Sequence, residues 1–174
     1  MISVAVVVLL SASNTVGNEQ TLDSAEDNVG NEPMLLAQNA APKEKSTTTT
    51  TNVDGNGVIL KGYDAVGYFR QGKPLKGNPE IASTYQGSTY LFASPANKAE
   101  FDKDSAKYVP QYGAFCAYGV ANGVLANTES PNAFTVYKGK LYLCGNQDAL
   151  KSFKVDIDEN IEKADAYWRQ LTGS

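Results

Sequence analysis

The sequence predicts an α+β domain in which two antiparallel β-hairpins form a small sheet packed against two to three helices. Three observations carry this prediction. Two runs of aromatic and β-branched residues are each interrupted by a glycine, as in hairpins. A serine-proline pair marks a helix start, because serine caps free amide donors and proline needs no donor at the first helical position. Near the end of the chain, an apolar stripe repeats with helical spacing.

The first hairpin is predicted over residues 83–92, STYQGSTYLF. Gly87 lies at its turn, where a glycine adopts positive φ without steric cost. Ser94-Pro95 follows and begins a helix that we expect over residues 95–108, with a break near Asp104. This strand–strand–helix unit is too small to be stable alone, so the rest of the chain must cover it.

The second hairpin is predicted over residues 134–144, with the three-residue turn Lys138-Gly139-Lys140 between its strands. We expect its residues to alternate between core and surface, and the two hairpins to join in one sheet. Asn146 has the side chain of a helix cap and is expected to begin a short helix.

The final helix is predicted over residues 156–171. Asp156 and Glu159 have the spacing of a capping box, and Gly173 suits a C-terminal cap. Burial of Trp168 against the sheet is expected to contribute about 2–3 kcal/mol. The apolar stripe consists of Ile157, Ile161, Ala164, Trp168 and Leu171.

Residues 111–123, QYGAFCAYGVANG, place three aromatic side chains and three glycines around one cysteine. Dense glycine permits close backbone approach, either to another part of the protein or to a ligand. Two interpretations stay open: tight packing beneath the hairpins, or a pocket for a small ligand. The pocket would be lined by Asp64, Tyr112, Phe115, Cys116 and Tyr118.

Asp64 is the acidic residue in an otherwise apolar and aromatic run, GYDAVGYF at residues 62–69. Aspartate at such a position accepts backbone amides in an Asx turn or a helix cap. The alternative is a carboxylate that faces a ligand.

The chain has two cysteines, Cys116 and Cys144, and no histidine. A disulfide between them would close a loop of about 27 residues and contribute about 3 kcal/mol in the chain-entropy model. Without that bond, each cysteine is a small buried hydrophobe. Cys116 is not expected to act as a nucleophile, because activation needs a neighbouring base or cation and no histidine supplies the usual one.

Two segments precede the domain, which is predicted over residues 57–174. Residues 1–13 are predicted to be a signal peptide, because the apolar run from Ile2 to Leu10 is too short to span a bilayer and small residues follow it. No Lys or Arg precedes that run, which leaves open a truncated start. Residues 14–56, the acidic segment, are rich in threonine and are expected to be disordered.

The negative charge is concentrated before the domain. The formal net charge of the chain is −4; up to Asp54, two lysines oppose seven acids, a net charge of −5. The remaining residues carry thirteen basic and twelve acidic side chains, about +1. A near-neutral domain without a basic stripe argues against nucleic-acid binding.

The patterns YQGSTYLFAS and AEFDKDSAKYVPQYG resemble the YHS domain. The resemblance is closer still to secreted bacterial and animal proteins of this family, through residues 62–69 and 111–123, and it covers roughly residues 57–171. Metal-binding relatives carry cysteines directly after the second strand and on the following helix. This chain has Ala93 and Ala96 or Asn97 there, so the resemblance does not carry the metal site over.

These observations predict a secreted, non-catalytic YHS-like protein that is a structural or binding component of the extracellular space. The acidic segment would meet matrix components or cations, including those of a mineralised matrix, so that biomineralisation is one expected setting. The alternative is a YHS-like protein that binds a metal or small ligand. No Ser/His/Asp set, phosphate loop or metal quartet is present in the sequence, so neither an enzyme nor a cofactor, catalytic or metal site is expected, nor a membrane partner.

Overall fold

A computed structural model describes residues 50–173, so the predicted signal peptide and most of the acidic segment lie outside the described residues. The strands are β1 (Asn78–Tyr85), β2 (Ser88–Phe92), β3 (Phe134–Tyr137) and β4 (Lys140–Leu143). The helices are α1 (Ala65–Arg70), α2 (Pro95–Lys103), α3 (Ser105–Tyr108), α4 (Ala117–Ala121), α5 (Gln147–Val155) and α6 (Ile157–Thr172). Short 3-10 turns occupy Leu60–Gly62 and Gln111–Ala114. The predicted α+β class and both antiparallel hairpins are confirmed.

The two hairpins remain separate two-stranded sheets within residues 50–173, and do not join in one sheet as expected. Irregular segments occupy the outer strand edges instead: Val58 bridges to Thr89 of β2, and Pro110 bridges to Leu141 of β4. One edge of each sheet is therefore bridged by an irregular segment rather than by the other hairpin.

Both hairpins turn through two residues with positive φ, the pattern of a type I′ turn. The first turn is Gln86-Gly87 (φ 48° and 78°) and the second is Lys138-Gly139 (φ 48° and 74°). The predicted three-residue turn is wrong, because Lys140 pairs with Tyr137 and belongs to β4.

Strand β4 separates two hydrophobic clusters. Leu141 and Leu143 face the first cluster, which is built on α1, the first hairpin and α2, while Tyr142 and Cys144 face the second, built on α4, α5 and α6. Successive strand residues point to opposite faces, so β4 is buried on both. The expected alternation between core and surface is wrong for this strand, and it brings Cys144 into the second cluster.

Most predicted helix boundaries are confirmed by their caps. Ser94 Oγ accepts the Asn97 amide at 3.2 Å, and Asn146 Oδ1 accepts the Ala149 amide at 2.9 Å. The expected break at Asp104 separates α2 from α3. No helix in the described part of the chain is long and apolar enough to cross a membrane.

The last helix differs from its prediction at both its start and its packing. The Asp156 side chain makes no capping hydrogen bond, and Glu159 instead pairs with Lys163 at 2.7 Å, so the predicted capping box is wrong. The left-handed C-cap at Gly173 (φ 69°) is confirmed. Helix α6 packs on α4, and the ring contacts of Trp168 are with Tyr112 and Phe115 of the segment before α4 rather than with a strand.

Candidate functional site

Asp64 is a fully buried carboxylate that joins three parts of the first cluster. Its Oδ1 accepts the amides of Val66 (2.8 Å) and Gly67 (3.2 Å) at the start of α1. Its Oδ2 accepts the Ala93 amide (2.8 Å), just after β2, and the Asn97 side-chain amide (2.7 Å) on α2. The helix-cap interpretation of Asp64 therefore describes its role in the structure, and both of its oxygens are already occupied.

Three consecutive residues with positive φ form a strained turn between α3 and α4. They are Tyr112 (53°), Gly113 (55°) and Ala114 (67°). Non-glycine residues in this region cost about 1–3 kcal/mol each and persist only where surrounding contacts hold them. On one side the Tyr112 hydroxyl donates to Asp165 of α6 at 2.8 Å, and burial with this bond raises the pKa of Tyr112.

The other side of the strained turn is held by residues at the end of the acidic segment. The Asn52 amide donates to the Gly113 carbonyl at 2.7 Å, and the Asn52 side chain donates to the Ala114 carbonyl at 3.2 Å. The Thr50 carbonyl lies so close that a Cβ on Gly113 would be 2.2 Å from its oxygen. Residues 50–52, at the end of the acidic segment, therefore pack against this turn.

Cys116 and Cys144 lie next to each other, although 28 positions separate them in the chain. Both are free, buried thiols of the second cluster. Cys116 Sγ also accepts the Gly119 amide at 3.4 Å, and Gly145 approaches so closely that a Cβ on it would lie 3.9 Å from this sulfur. The two sulfurs therefore form a dithiol pair lined by backbone amides.

The two sulfurs differ in acidity. The neighbouring Cys144 side chain, with the backbone amides of Gly119, Gly145 and Tyr118, outweighs burial and lowers the pKa of Cys116 from its usual value. The Cys116 side chain, together with burial, raises the pKa of Cys144. Without a histidine in the chain, no activation of Cys116 was expected, because the neighbouring thiol and backbone amides cannot be recognised from the sequence.

The predicted pocket residues fall into two groups. Tyr112, Phe115, Cys116 and Tyr118 all belong to the second cluster. Asp64 lies beside the first cluster, between Tyr63 and the buried start of α1. The structure brings the four aromatic and thiol residues together, but it does not bring Asp64 to them. The glycines among them serve close packing: Gly119 approaches Ala126, and Gly123 lies against the Tyr167 ring.

A cleft of about 560 Å³ lies elsewhere, between α1, α2 and α3. Two of its charged side chains form an ion pair. Arg70 donates to Glu100 at 2.5 Å, and the Tyr108 hydroxyl donates to the same carboxylate. The Arg70–Glu100 bond lowers the pKa of Glu100 and raises that of Arg70. Lys103, Asp104 and Lys107 also line the cleft.

Comparison with known proteins supports the resemblance of the sequence to the YHS domain. The family model of the YHS domain matches residues 66–112, from α1 to the strained turn. The chain therefore contains a YHS domain, which comprises α1, the first hairpin, α2 and α3. No curated protein and no solved structure matches the chain. The dithiol pair, α4, the second hairpin and the last two helices lie outside the matched residues.

The residues present do not fit the metal site of YHS relatives. At the places where those relatives carry cysteines, Ala93 and Ala96 offer no side-chain ligand, and Asn97 donates to Asp64. The Asp64 oxygens are in turn occupied by four donors. Among the described residues, no group of three or more His, Cys, Asp or Glu side chains is placed to hold a metal ion.

Sequence reasoning did not single out two of the residues at these sites. Asn52 and Asp165 both bind the strained turn. Asn97 was named only as a residue at a metal-ligand position of YHS relatives, and the structure shows that its side chain donates to Asp64. The other two act over 53 or more positions along the chain, which no local pattern reports.

Proposed function

We propose that this protein is exported and acts as a non-catalytic component of the extracellular space, in which the YHS domain anchors an acidic segment that binds cations or a charged matrix. The observation that carries the proposal is the division of charge. The chain up to Asp54 carries a net charge of −5, and the remaining chain about +1. Carboxylates concentrated in one segment of the sequence suit an oxygen-preferring cation such as Ca²⁺.

The junction between segment and domain supports this arrangement. Asn52 makes two hydrogen bonds to the strained turn, and Val53 pairs with Ile59. The Ser88 hydroxyl also donates to Thr51 at 3.3 Å. Because the end of the segment is attached to the folded domain through several contacts, binding of the segment to a cation or a matrix retains the whole protein there.

The internal contacts of the YHS domain support a non-catalytic role. Asp64 is committed to four hydrogen bonds, and the cleft carboxylate of Glu100 is committed to Arg70 and Tyr108. Catalytic acids and bases need a free proton site near the operating pH. These two carboxylates, both beside helices of the matched segment, serve structural bonds instead.

Export is tested by intact-mass and N-terminal analysis of the native protein in the extracellular and cellular fractions. The expected result is an extracellular protein whose N-terminus begins near residue 14, after the predicted signal peptide. Recovery of the uncleaved chain from the cellular fraction alone would refute export.

Matrix binding is tested by cosedimentation of the full chain with calcium carbonate particles. One variant converts six acids of the segment to their amides: Glu19, Asp23, Glu26, Asp27, Glu32 and Glu44. A matched control converts six exposed domain acids: Glu80, Asp104, Glu129, Asp148, Asp156 and Glu162. Both variants change the net charge equally, so a difference between them reports the location of the charge.

We expect the wild type and the control to sediment with the particles, and the segment variant to remain in solution. Excess salt should release the bound protein, because exposed charges are screened. Equal binding by the two variants would show that net charge alone acts, and would contradict the proposal. Absence of binding by the wild type would also contradict it.

A further inference from the structure

We propose that Cys116 and Cys144 form a redox-active dithiol whose substrate is a hydroperoxide, with Cys116 as the attacking thiol and Cys144 as the resolving thiol. This site lies outside the matched YHS residues and does not depend on what the acidic segment binds. It is a site of stoichiometric modification, in which the protein itself is oxidised.

The two cysteines lie close together in the fold. Cys116 is the N-cap residue of α4, and Cys144 directly follows β4 in the same buried cluster. A Cβ placed on Gly145, the residue after Cys144, would lie 3.9 Å from the Cys116 sulfur. A disulfide needs the sulfurs to approach to about 2.05 Å. With both residues in one cluster, we expect a local shift to close the bond and leave the fold intact.

The surroundings of the two cysteines differ. The Gly119 amide donates to the Cys116 sulfur at 3.4 Å, and a hydrogen-bond donor stabilises a thiolate. As whole residues, Cys116 is 4% exposed and Cys144 is fully buried. The cysteine with the amide donor is therefore also the more accessible one, and this assigns the two roles.

The size of the oxidant is limited as well. Exchange with a molecular disulfide needs the attacking sulfur, and both sulfurs of the oxidant, in line. Cys116 is 4% exposed as a whole residue, and Phe115 and Tyr118 beside it in the chain are half-buried, which leaves little room for that approach. A hydroperoxide presents one terminal oxygen and needs less room.

The reaction balances with hydrogen peroxide as the oxidant. The Cys116 thiolate attacks one oxygen, the O–O bond breaks, and the departing hydroxide takes a proton to become water. Cys116 is then a sulfenic acid. Cys144 attacks that sulfur, the S–O bond breaks, and the hydroxide leaves with the Cys144 proton as a second water. Two thiols supply two electrons and become one disulfide, and one peroxide is reduced to two waters.

The proposal is tested on the full chain, first reduced and freed of reductant, then exposed to an equimolar amount of hydrogen peroxide. Intact mass follows loss of two hydrogen atoms, and peptide mapping locates the bond. Cys144→Ser keeps a hydroxyl donor in place of the resolving thiol, and is expected to stop at a sulfenic acid on Cys116 that a dione reagent traps. Cys116→Ser is expected to stay reduced.

The relative rates give a second readout. We expect oxidation of Cys116 in Cys144→Ser to be at least about tenfold faster than oxidation of Cys144 in Cys116→Ser, since only the thiolate reacts. Circular dichroism of both variants verifies that they are folded before oxidation. Should a variant fail to fold, competitive peroxide labelling of the two thiols in the reduced wild type gives the same ratio.

Three results would overturn the proposal. One is a folded wild type that stays reduced under peroxide and closes only after unfolding in urea. Another is sulfenic acid at Cys144 in preference to Cys116. The third is closure that is faster with oxidised glutathione than with peroxide, which would replace the assigned oxidant by a small disulfide.

Discussion

Replacement of Asp64 by asparagine tests the buried hydrogen bonds that join the start of α1 to the end of β2 and to α2. The change keeps the size of the side chain and converts one acceptor oxygen into a donor. Two donors face each carboxylate oxygen: the Val66 and Gly67 amides on one, and the Ala93 amide and the Asn97 side chain on the other. The new NH₂ group therefore meets donors in either orientation.

The loss in free energy of unfolding is set by the orientation of the asparagine amide that leaves fewer donors without an acceptor. If the NH₂ group faces the Ala93 side, Asn97 can rotate its amide and accept, which leaves the Ala93 amide without its partner. A lost partner costs about 1–3 kcal/mol, and the bonds that remain weaken because hydrogen bonds to a charged group are stronger than neutral ones. We expect Asp64→Asn to reduce the free energy of unfolding by about 2–4 kcal/mol.

Urea denaturation measures this loss as a lower midpoint with an unchanged slope. Asp148→Asn, an exposed aspartate in the first turn of α5, is the matched control and should change stability by no more than about 0.5 kcal/mol. Asp64→Ala removes both acceptors and should be less stable than Asp64→Asn. A loss for Asp64→Asn no larger than that of the control would refute the role given to this carboxylate.

Two further predictions concern the strained turn and the dithiol pair. In urea denaturation, Gly113→Ala should lower the free energy of unfolding clearly more than Gly139→Ala. Both glycines have positive φ, but only at Gly113 would the new Cβ clash with Thr50. Equal losses in the two variants would contradict that contact. Alkylation of Cys116 by iodoacetamide should rise with pH through a midpoint below the value of about 8.5 for a free cysteine, since the thiolate is the reactive form and the neighbouring Cys144 and backbone amides lower the pKa of Cys116. Cys144→Ala removes the neighbouring thiol and should move the midpoint upward, whereas an unchanged midpoint would exclude Cys144 as its cause.

Local chemistry explains which parts of the fold were predictable. The caps at Ser94, Asn146 and Gly173 depend on one side chain or one glycine and its near neighbours, and all three were found as expected. The hairpins follow from short-range alternation and a glycine turn. The same reasoning failed at Asp156, where the spacing of a capping box occurs without the hydrogen bond.

Long-range packing decided the remainder. The second hairpin was expected to expose one face, but α4 and α6 cover what would have been its outer side, so Tyr142 and Cys144 are buried. The residue pattern of β4 alone cannot show that a helix from elsewhere in the chain packs on it. The proximity of Cys144 to Cys116, and the contact of Asn52 with the strained turn, likewise depend on packing between residues far apart in the sequence.

The proposed role as a retained extracellular component is tested most directly by successive extraction of the insoluble extracellular material of the source. Plain buffer is applied first and a calcium chelator second, and an antibody to the domain follows the protein. We predict that the protein stays with the insoluble material in plain buffer and is released by the chelator. Full release in plain buffer, or recovery only from inside cells, would contradict a cation-bound matrix protein.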